Sequence, residues 1–300
     1  NPVVRRYLLS VVARWTRELR LDGWRLDVPN EVPDVFWREF RPVVRRINPD
    51  AVIIGEIWDD AGRWLQGDMF DSVMNYVWRG AVLGFVAHRS LTPSQFDQRM
   101  AQLQVMYPRQ SLYAMYNMLS SHDTPRFRRE CGGDLRRVRL GLLLQFTAIG
   151  APAIYYGDEI GMDGGGTPDN RRAMRFERTP DEQALFEYTR ALIALRKGSV
   201  ALRRGEWTTV LVDDARELYG FVRHTLDDAA LVLLNLSDQP QRAEVPAWNG
   251  VSQWAHAVSI HTPTQTTYAA VKGRITVDLP PLSGTVLVPS SKSPIGGKTQ

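Results

Sequence analysis

The chain has 300 residues, of which 44% are hydrophobic and 23% charged, with a formal net charge of +4. That is globular composition, long enough for one large domain and a smaller one, and it argues against disorder outside the ends of the chain. Of the 37 basic residues only Lys197, Lys272, Lys292 and Lys298 are lysine, and the arginines are scattered, which argues against a nucleic-acid partner.

No apolar run reaches the length of a membrane span. Cys131 is the single cysteine, so no intrachain disulfide can form, and a reducing cytoplasm is the expected compartment. The chain opens Asn-Pro-Val-Val-Arg-Arg without an initiator Met, and its true N-terminus is expected to lie upstream.

In chain order, a helical pattern around Val4 to Leu19 leads into a first strand at Gly23 to Val28. Further strands are predicted at Ala51 to Glu56, Met69 to Asn75, Leu112 to Ser120 and Ala153 to Gly157. Apolar runs alternating with helical patterns are the mark of β/α units around a parallel sheet. Ala51-Val-Ile-Ile-Gly55 lacks alternation, as expected of a strand buried on both faces. Thr92-Pro-Ser-Gln95 and Thr179-Pro-Asp-Glu182 read as capping boxes that start helices. The second helix carries Leu185, Tyr188, Leu192 and Leu195 on one face and closes at Arg196-Lys197-Gly198. Beyond Gly198 the text turns to short β-rich segments: Glu217 to His224, Ala230 to Leu236, Arg274 to Leu279 and Gly284 to Val288. Asp and Pro turns separate them. The domains expected are residues 1–197, 198–289 and a flexible tail, 290–300.

Three of the strand patterns end at an acid: Leu21-Asp-Gly-Trp-Arg-Leu-Asp27, Ala51-Val-Ile-Ile-Gly-Glu56 and Met118-Leu-Ser-Ser-His-Asp123. In a closed parallel sheet the C-terminal strand ends share one mouth, so acids distant in sequence can meet there. A single Asp at a strand end more often caps a helix, but three, with Arg25 and His122 beside two of them, suit glycoside cleavage. One carboxylate attacks the anomeric carbon while a protonated second serves the departing oxygen.

Gly23-Trp-Arg-Leu-Asp-Val-Pro-Asn-Glu31, Gly55-Glu-Ile-Trp58 and Ser121-His-Asp-Thr-Pro-Arg126 resemble the strand-4, strand-5 and strand-7 motifs of the α-amylase family. Trp64-Leu-Gln-Gly-Asp-Met-Phe-Asp71 and Tyr155-Tyr-Gly-Asp-Glu-Ile-Gly-Met162 look like the neopullulanase, cyclomaltodextrinase and maltogenic amylase branch. The resemblance implies an α/β fold, a partial (β/α)8 TIM barrel of strands 4 to 8 followed by a small antiparallel β-sandwich. It implies a retaining glycosidase cleaving α-1,4-glucosidic bonds in cyclodextrins, pullulan or malto-oligosaccharides, with Asp27 as nucleophile, Glu56 as acid/base and Asp123 as the third carboxylate. Arg25 would hold Asp27 ionised, and His122 would bond a sugar hydroxyl. Asn30 and Glu31 match leaving-group-side contacts, Glu31 being linked to transglycosylation, although it could instead simply begin the next helix.

Trp58 is expected to stack on a glucose ring, whereas Trp15, Trp37 and Trp78 are expected to pack in the core or between helices. Arg171 matches a sugar-binding arginine, but the Asp usual four residues before it is Thr167, with Asp169 as a substitute. Asp158-Glu159 are read as structural. No cofactor is required by this chemistry; calcium is left open, because the usual site draws on a strand-3 region not found in these residues. The expected partner is an α-glucan, with a homo-oligomer or an association with the upstream barrel segment also open. The alternatives are a transglucosylase of the same fold, or a fragment that binds α-glucan or a partner without turnover. On the incomplete-barrel reading, the 300 residues alone are expected to be poorly active and poorly stable.

Overall fold

The computed structural model describes residues 1–259 and 267–290, so the sequence expectation for 291–300 of the tail lies outside the described residues. In chain order the elements are α1 (Pro2–Glu18), β1 (Gly23–Leu26), α2 (Asp34–Ile47), β2 (Val52–Gly55), β3 (Ser72–Val73), α3 (Tyr76–Val82), α4 (Pro93–Met106), α5 (Arg109–Ala114) and β4 (Tyr116–Met118). They continue with α6 (Phe127–Glu130), α7 (Leu135–Thr147), β5 (Ala151–Ala153), α8 (Pro180–Gly198) and α9 (Val200–Arg204). The β-rich part holds β6 (Glu206–Asp213), β7 (Leu218–His224), β8 (Ala229–Asn235), β9 (Gln241–Pro246), β10 (Gln253–Ser259), β11 (Thr267–Ala269), β12 (Arg274–Leu279) and β13 (Ser283–Pro289). Two compact units result: residues 1–78 with 101–117, and residues 79–100 with 118–300.

In the first unit β1, β2 and β3 form a parallel sheet in that order, and Met74 bridges in parallel to Tyr116 of β4. Leu26 pairs with Gly55, so the residues that follow them, Asp27 and Glu56, leave the sheet at the same level. Gly55 is needed there: a Cβ would stand 2.8 Å from the Phe70 ring. α2 buries Trp37, Phe40 and Val44, spaced for one helical face, and Trp24 and Phe70 meet that face edge-on. Arg41 and Arg45 reach Asp71 at 2.8 and 2.7 Å, and Asp71 also accepts from the Ile53 N–H. The Met69-Phe70-Asp71 stretch is therefore a clasp between α2 and the sheet.

In the second unit α7 is buried from Leu140 to Thr147. The capping box of α8 is present, with Thr179 and Glu182 exchanging hydrogen bonds, and the one at Thr92 and Gln95 likewise. Antiparallel strands in the order β11-β10-β13-β8-β7-β6 make one sheet and β12-β9 another; residues of both share a core that includes Trp254, Leu231, Leu233, Val245, Ile275 and Val277.

Four expectations need correction. Residues 112–114 belong to α5 and not to a strand, because Pro108 precedes a helical turn and only Tyr116–Met118 are extended. A short apolar run does not by itself distinguish helix from strand. The strand expected at Ala153 to Gly157 is instead Ala151–Ala153; Tyr155 and Tyr156 leave it to cover the Arg126 guanidinium, at 4.1 and 4.6 Å. α8 runs through Gly198 and ends at an extended Ser199, with no left-handed glycine cap. Trp15 is 40% exposed beneath the Arg14 guanidinium, while Trp37 and Trp78 are buried as expected.

Candidate active site

Asp27 and Glu56 leave neighbouring parallel strands, and one side chain joins them. Arg25, on β1 two residues before Asp27, places Nη1 2.5 Å from Asp27 Oδ1 and Nη2 2.7 Å from Glu56 Oε1. The approach to Glu56 is one of charge, since Oε1 has no partner in hydrogen-bond geometry. Glu56 Oε2 accepts the Val28 N–H at 3.2 Å. Val28 achieves this with φ of +40°, a left-handed conformation that a β-branched residue adopts only under constraint and that marks functional turns. The two acids sit in unlike surroundings: the Asp27 side chain is 76% exposed and that of Glu56 only 3%. Carboxyls in surroundings so unlike suit separate roles.

The turn after Val28 is a single 3-10 turn, Pro29–Glu31, which carries Asn30 and Glu31 on the surface. α2 begins later, at Asp34, so Glu31 does not begin it. Trp58 is 49% exposed and lies flat on Tyr76, with centroids 4.0 Å apart and planes 10° apart. Tyr76 thus backs one face of the indole, a support that no spacing in the sequence announces.

In the second unit the loop after β4 carries His122 and Asp123. His122 Nε2 lies 3.0 Å from Asp123 Oδ2, and Arg171 Nη2 donates to Asp123 Oδ1 at 2.8 Å. Arg171 Nε also donates to the His122 carbonyl at 2.8 Å. Asp169 is engaged elsewhere: the Gly165 N–H and the Arg172 guanidinium, at 2.6 Å each, hold its carboxyl below the usual range.

Residues 1–184 match the family described as alpha amylase, catalytic domain. The chain belongs to the α-amylase family. It is 41% identical over 281 residues to the cyclomaltodextrinase of Geobacillus thermopakistaniensis (strain MAS1), covering 94% of this chain and 47% of that protein. Against neopullulanase 2 of Thermoactinomyces vulgaris the identity is 42% over 289 residues, 96% of this chain and 48% of the relative. The solved structure of a cyclomaltodextrinase superposes with a TM-score of 0.87 at 36% identity, over 96% of this chain and 49% of that one. The chain spans about half the length of the curated relatives it matches. The α-amylase family fold, a TIM barrel accompanied by an antiparallel sheet, accounts for the parallel strands of the first unit and the β-rich part of the second.

Among α-amylase family motifs, the one ending at Arg126 hides a residue whose position sequence reasoning did not use. Arg126 is fully buried; its guanidinium reaches the carbonyls of Asn170 and Tyr156 and lies 3.3 Å from Asp158 Oδ1. Burial outweighs this guanidinium and the Ser120 hydroxyl, and pushes the Asp158 carboxyl up to about 6. The folded state then holds a proton that the unfolded state releases near pH 4, so stability from Asp158 is present at low pH and lost as pH rises through about 6. Relative to an Asp158→Asn variant, the wild-type protein is expected to lose up to about 3 kcal/mol between pH 4 and pH 7, at ~1.4 kcal/mol per pH unit. Urea unfolding of both proteins across that range measures the difference; a constant difference would mean that Asp158 is ionised throughout.

Proposed function

We propose that the protein carrying this chain is a retaining glycosidase that cleaves α-1,4-glucosidic bonds in cyclodextrins, pullulan and malto-oligosaccharides. The observation that carries the reading is the Arg25 guanidinium against both Asp27 and Glu56 at the level ends of adjacent parallel strands. Asp27 attacks the anomeric carbon; the glycosidic bond breaks, and its oxygen leaves with the proton of Glu56. Water then gives a proton to Glu56 and attacks the same carbon from the vacated side, releasing Asp27 and restoring the original anomeric configuration. A sugar hydroxyl in place of water gives transglycosylation, with Asn30 and Glu31 on the acceptor side.

Asp123 and His122 hold sugar hydroxyls, Arg171 contributes to donor-side binding, and the open face of Trp58 stacks on a glucose ring. On this reading β1 to β5 are strands 4 to 8 of a (β/α)8 barrel in residues 1–197, with a β-sandwich in 198–289. The steps call for no cofactor, and calcium enters none of them. The compartment is cytoplasmic; among the described residues no helix is long and apolar enough to cross a membrane. A Bacillus subtilis relative, 39% identical, is named an intracellular maltogenic amylase, which supports this placement.

The test is the release of reducing ends from β-cyclodextrin and pullulan, with products separated by chromatography. Short maltosaccharides, with some transfer products at high substrate, are expected. Binding without turnover would contradict the proposal, and products of transfer alone would point to a transglucosylase.

A further inference from the structure

Asn170 is fully buried, yet its side chain serves no helix cap and no charged partner. Its Nδ2 faces three backbone carbonyls of one short loop: His122 at 2.7 Å, Thr124 at 2.9 Å and, more weakly, Ser121 at 3.4 Å. An amide nitrogen has two N–H groups, so the two short bonds use both, and the carbonyls are drawn to a single point. Its Oδ1 is buried without a partner, so the amide is oriented by its donor end alone. An unpaired buried acceptor is unfavourable, and it persists where a position is over-determined by its neighbours.

Asn170 is itself held. Its carbonyl accepts from Arg126 Nε at 3.0 Å, and the Arg126 N–H donates to the Gly164 carbonyl at 3.0 Å, so the C-terminal end of the 121–126 loop is tied to the 164–171 segment at two points. The next residue, Arg171, grips the same loop from the outer side, through the His122 carbonyl and Asp123 Oδ1. Adjacent residues thus divide the work: Asn170 fixes the backbone and Arg171 the carboxylate.

We infer that Asn170 is a positioning residue, whose buried amide sets the backbone of residues 121–124 and thereby the aim of the Asp123 carboxylate at the sugar. The inference rests on the proposed role of Asp123 in glycoside cleavage. Arg171 alone cannot substitute for the amide: it contacts the loop at one carbonyl and one oxygen, and leaves the Thr124 carbonyl untouched. Freed of the amide, the loop can shift while the carboxylate remains ionised and paired. A displacement of about 1 Å costs about a hundredfold in rate.

The experiment is a double-mutant cycle on Asn170 and Asp123 in the protein carrying this sequence, with p-nitrophenyl α-maltoside as the substrate so that low rates can be read. Asn170→Ala is expected to lower kcat about a hundredfold with KM within about threefold. In the Asp123→Ala background the same change is expected to alter kcat by less than about threefold, because the group it aims is already gone. A loss of general stability would multiply through both backgrounds. Where Asn170→Ala does not fold, Asn170→Ser keeps one donor for one carbonyl and carries the same cycle, with a kcat loss of about tenfold expected in the Asp123 background only. Severe loss from Asp123→Ala together with unaffected or multiplicative Asn170 variants overturns the positioning role while leaving the cleavage reading standing. Unchanged turnover in Asp123→Ala overturns the cleavage role of Asp123 and this inference with it.

Discussion

Glu56→Gln is expected to reduce turnover of malto-oligosaccharides by about 10²- to 10⁴-fold, the range of a lost general acid, while leaving their binding nearly intact. Glutamine keeps the carbonyl-type oxygen that accepts the Val28 N–H, so the strand end can hold its shape. What is lost is the proton for the departing oxygen. A substrate whose leaving group needs no proton separates this from damage to the site: with α-maltosyl fluoride the variant should still release a first equivalent of fluoride. It should then stall, because the same residue is the base that activates water. Unchanged turnover on the oligosaccharide would remove Glu56 from the acid role. Loss of the fluoride burst as well would make its contribution structural.

Trp254→Ala is the substitution with the largest expected cost in stability, about 3–5 kcal/mol. The indole is fully buried on β10 in the core formed by residues of both antiparallel sheets, where a cavity of that size cannot close by small shifts. Its Nε1 has no hydrogen-bond partner, so the loss is one of packing. Denaturant unfolding measures it, with near-ultraviolet dichroism reporting the β-rich part. A change under about 1 kcal/mol would mean that this core is not the closely packed body described.

The parts of this architecture that are legible in the sequence are those written in local chemistry. The capping box at Thr179 and the alternation in Arg274–Leu279 each specify an element through forces within a few residues, and the apolar run before Glu56 specifies a strand, although Val52, 40% exposed, shows that it is not buried on both faces as its lack of alternation suggests. The acids at the strand ends could be found because strand direction alone places them. Most of the residues that escaped are fixed by distant partners, and one segment by its immediate neighbours. Leu112–Ala114 reads equally as strand or helix, and the Pro108 before it and the short β4 after it decide the matter. Tyr155 and Tyr156 look like strand residues because aromatics favour strands, yet a buried guanidinium from another loop takes them out of the sheet. The contact of Arg25 with Glu56, beyond Asp27, follows from the register of β1 on β2, which no single segment encodes. Asn170 sits in the sequence as an ordinary loop asparagine, and only its burial beneath the His122 carbonyl sets it apart.

Covalent capture of the glycosyl intermediate tests the central claim most directly. A 5-fluoro-α-glucosyl fluoride, which forms the intermediate and then hydrolyses slowly, should raise the mass of the protein by one fluoroglucosyl group. After trypsin cleavage at Arg25 and Arg38, the label should lie on the peptide Leu26-Asp-Val-Pro-Asn-Glu-Val-Pro-Asp-Val-Phe-Trp-Arg38, at Asp27. A label on the peptide that carries Glu56, or cleavage of the reagent with inversion and no label on either peptide, would contradict the assignment of Asp27 as the nucleophile of a retaining glycosidase.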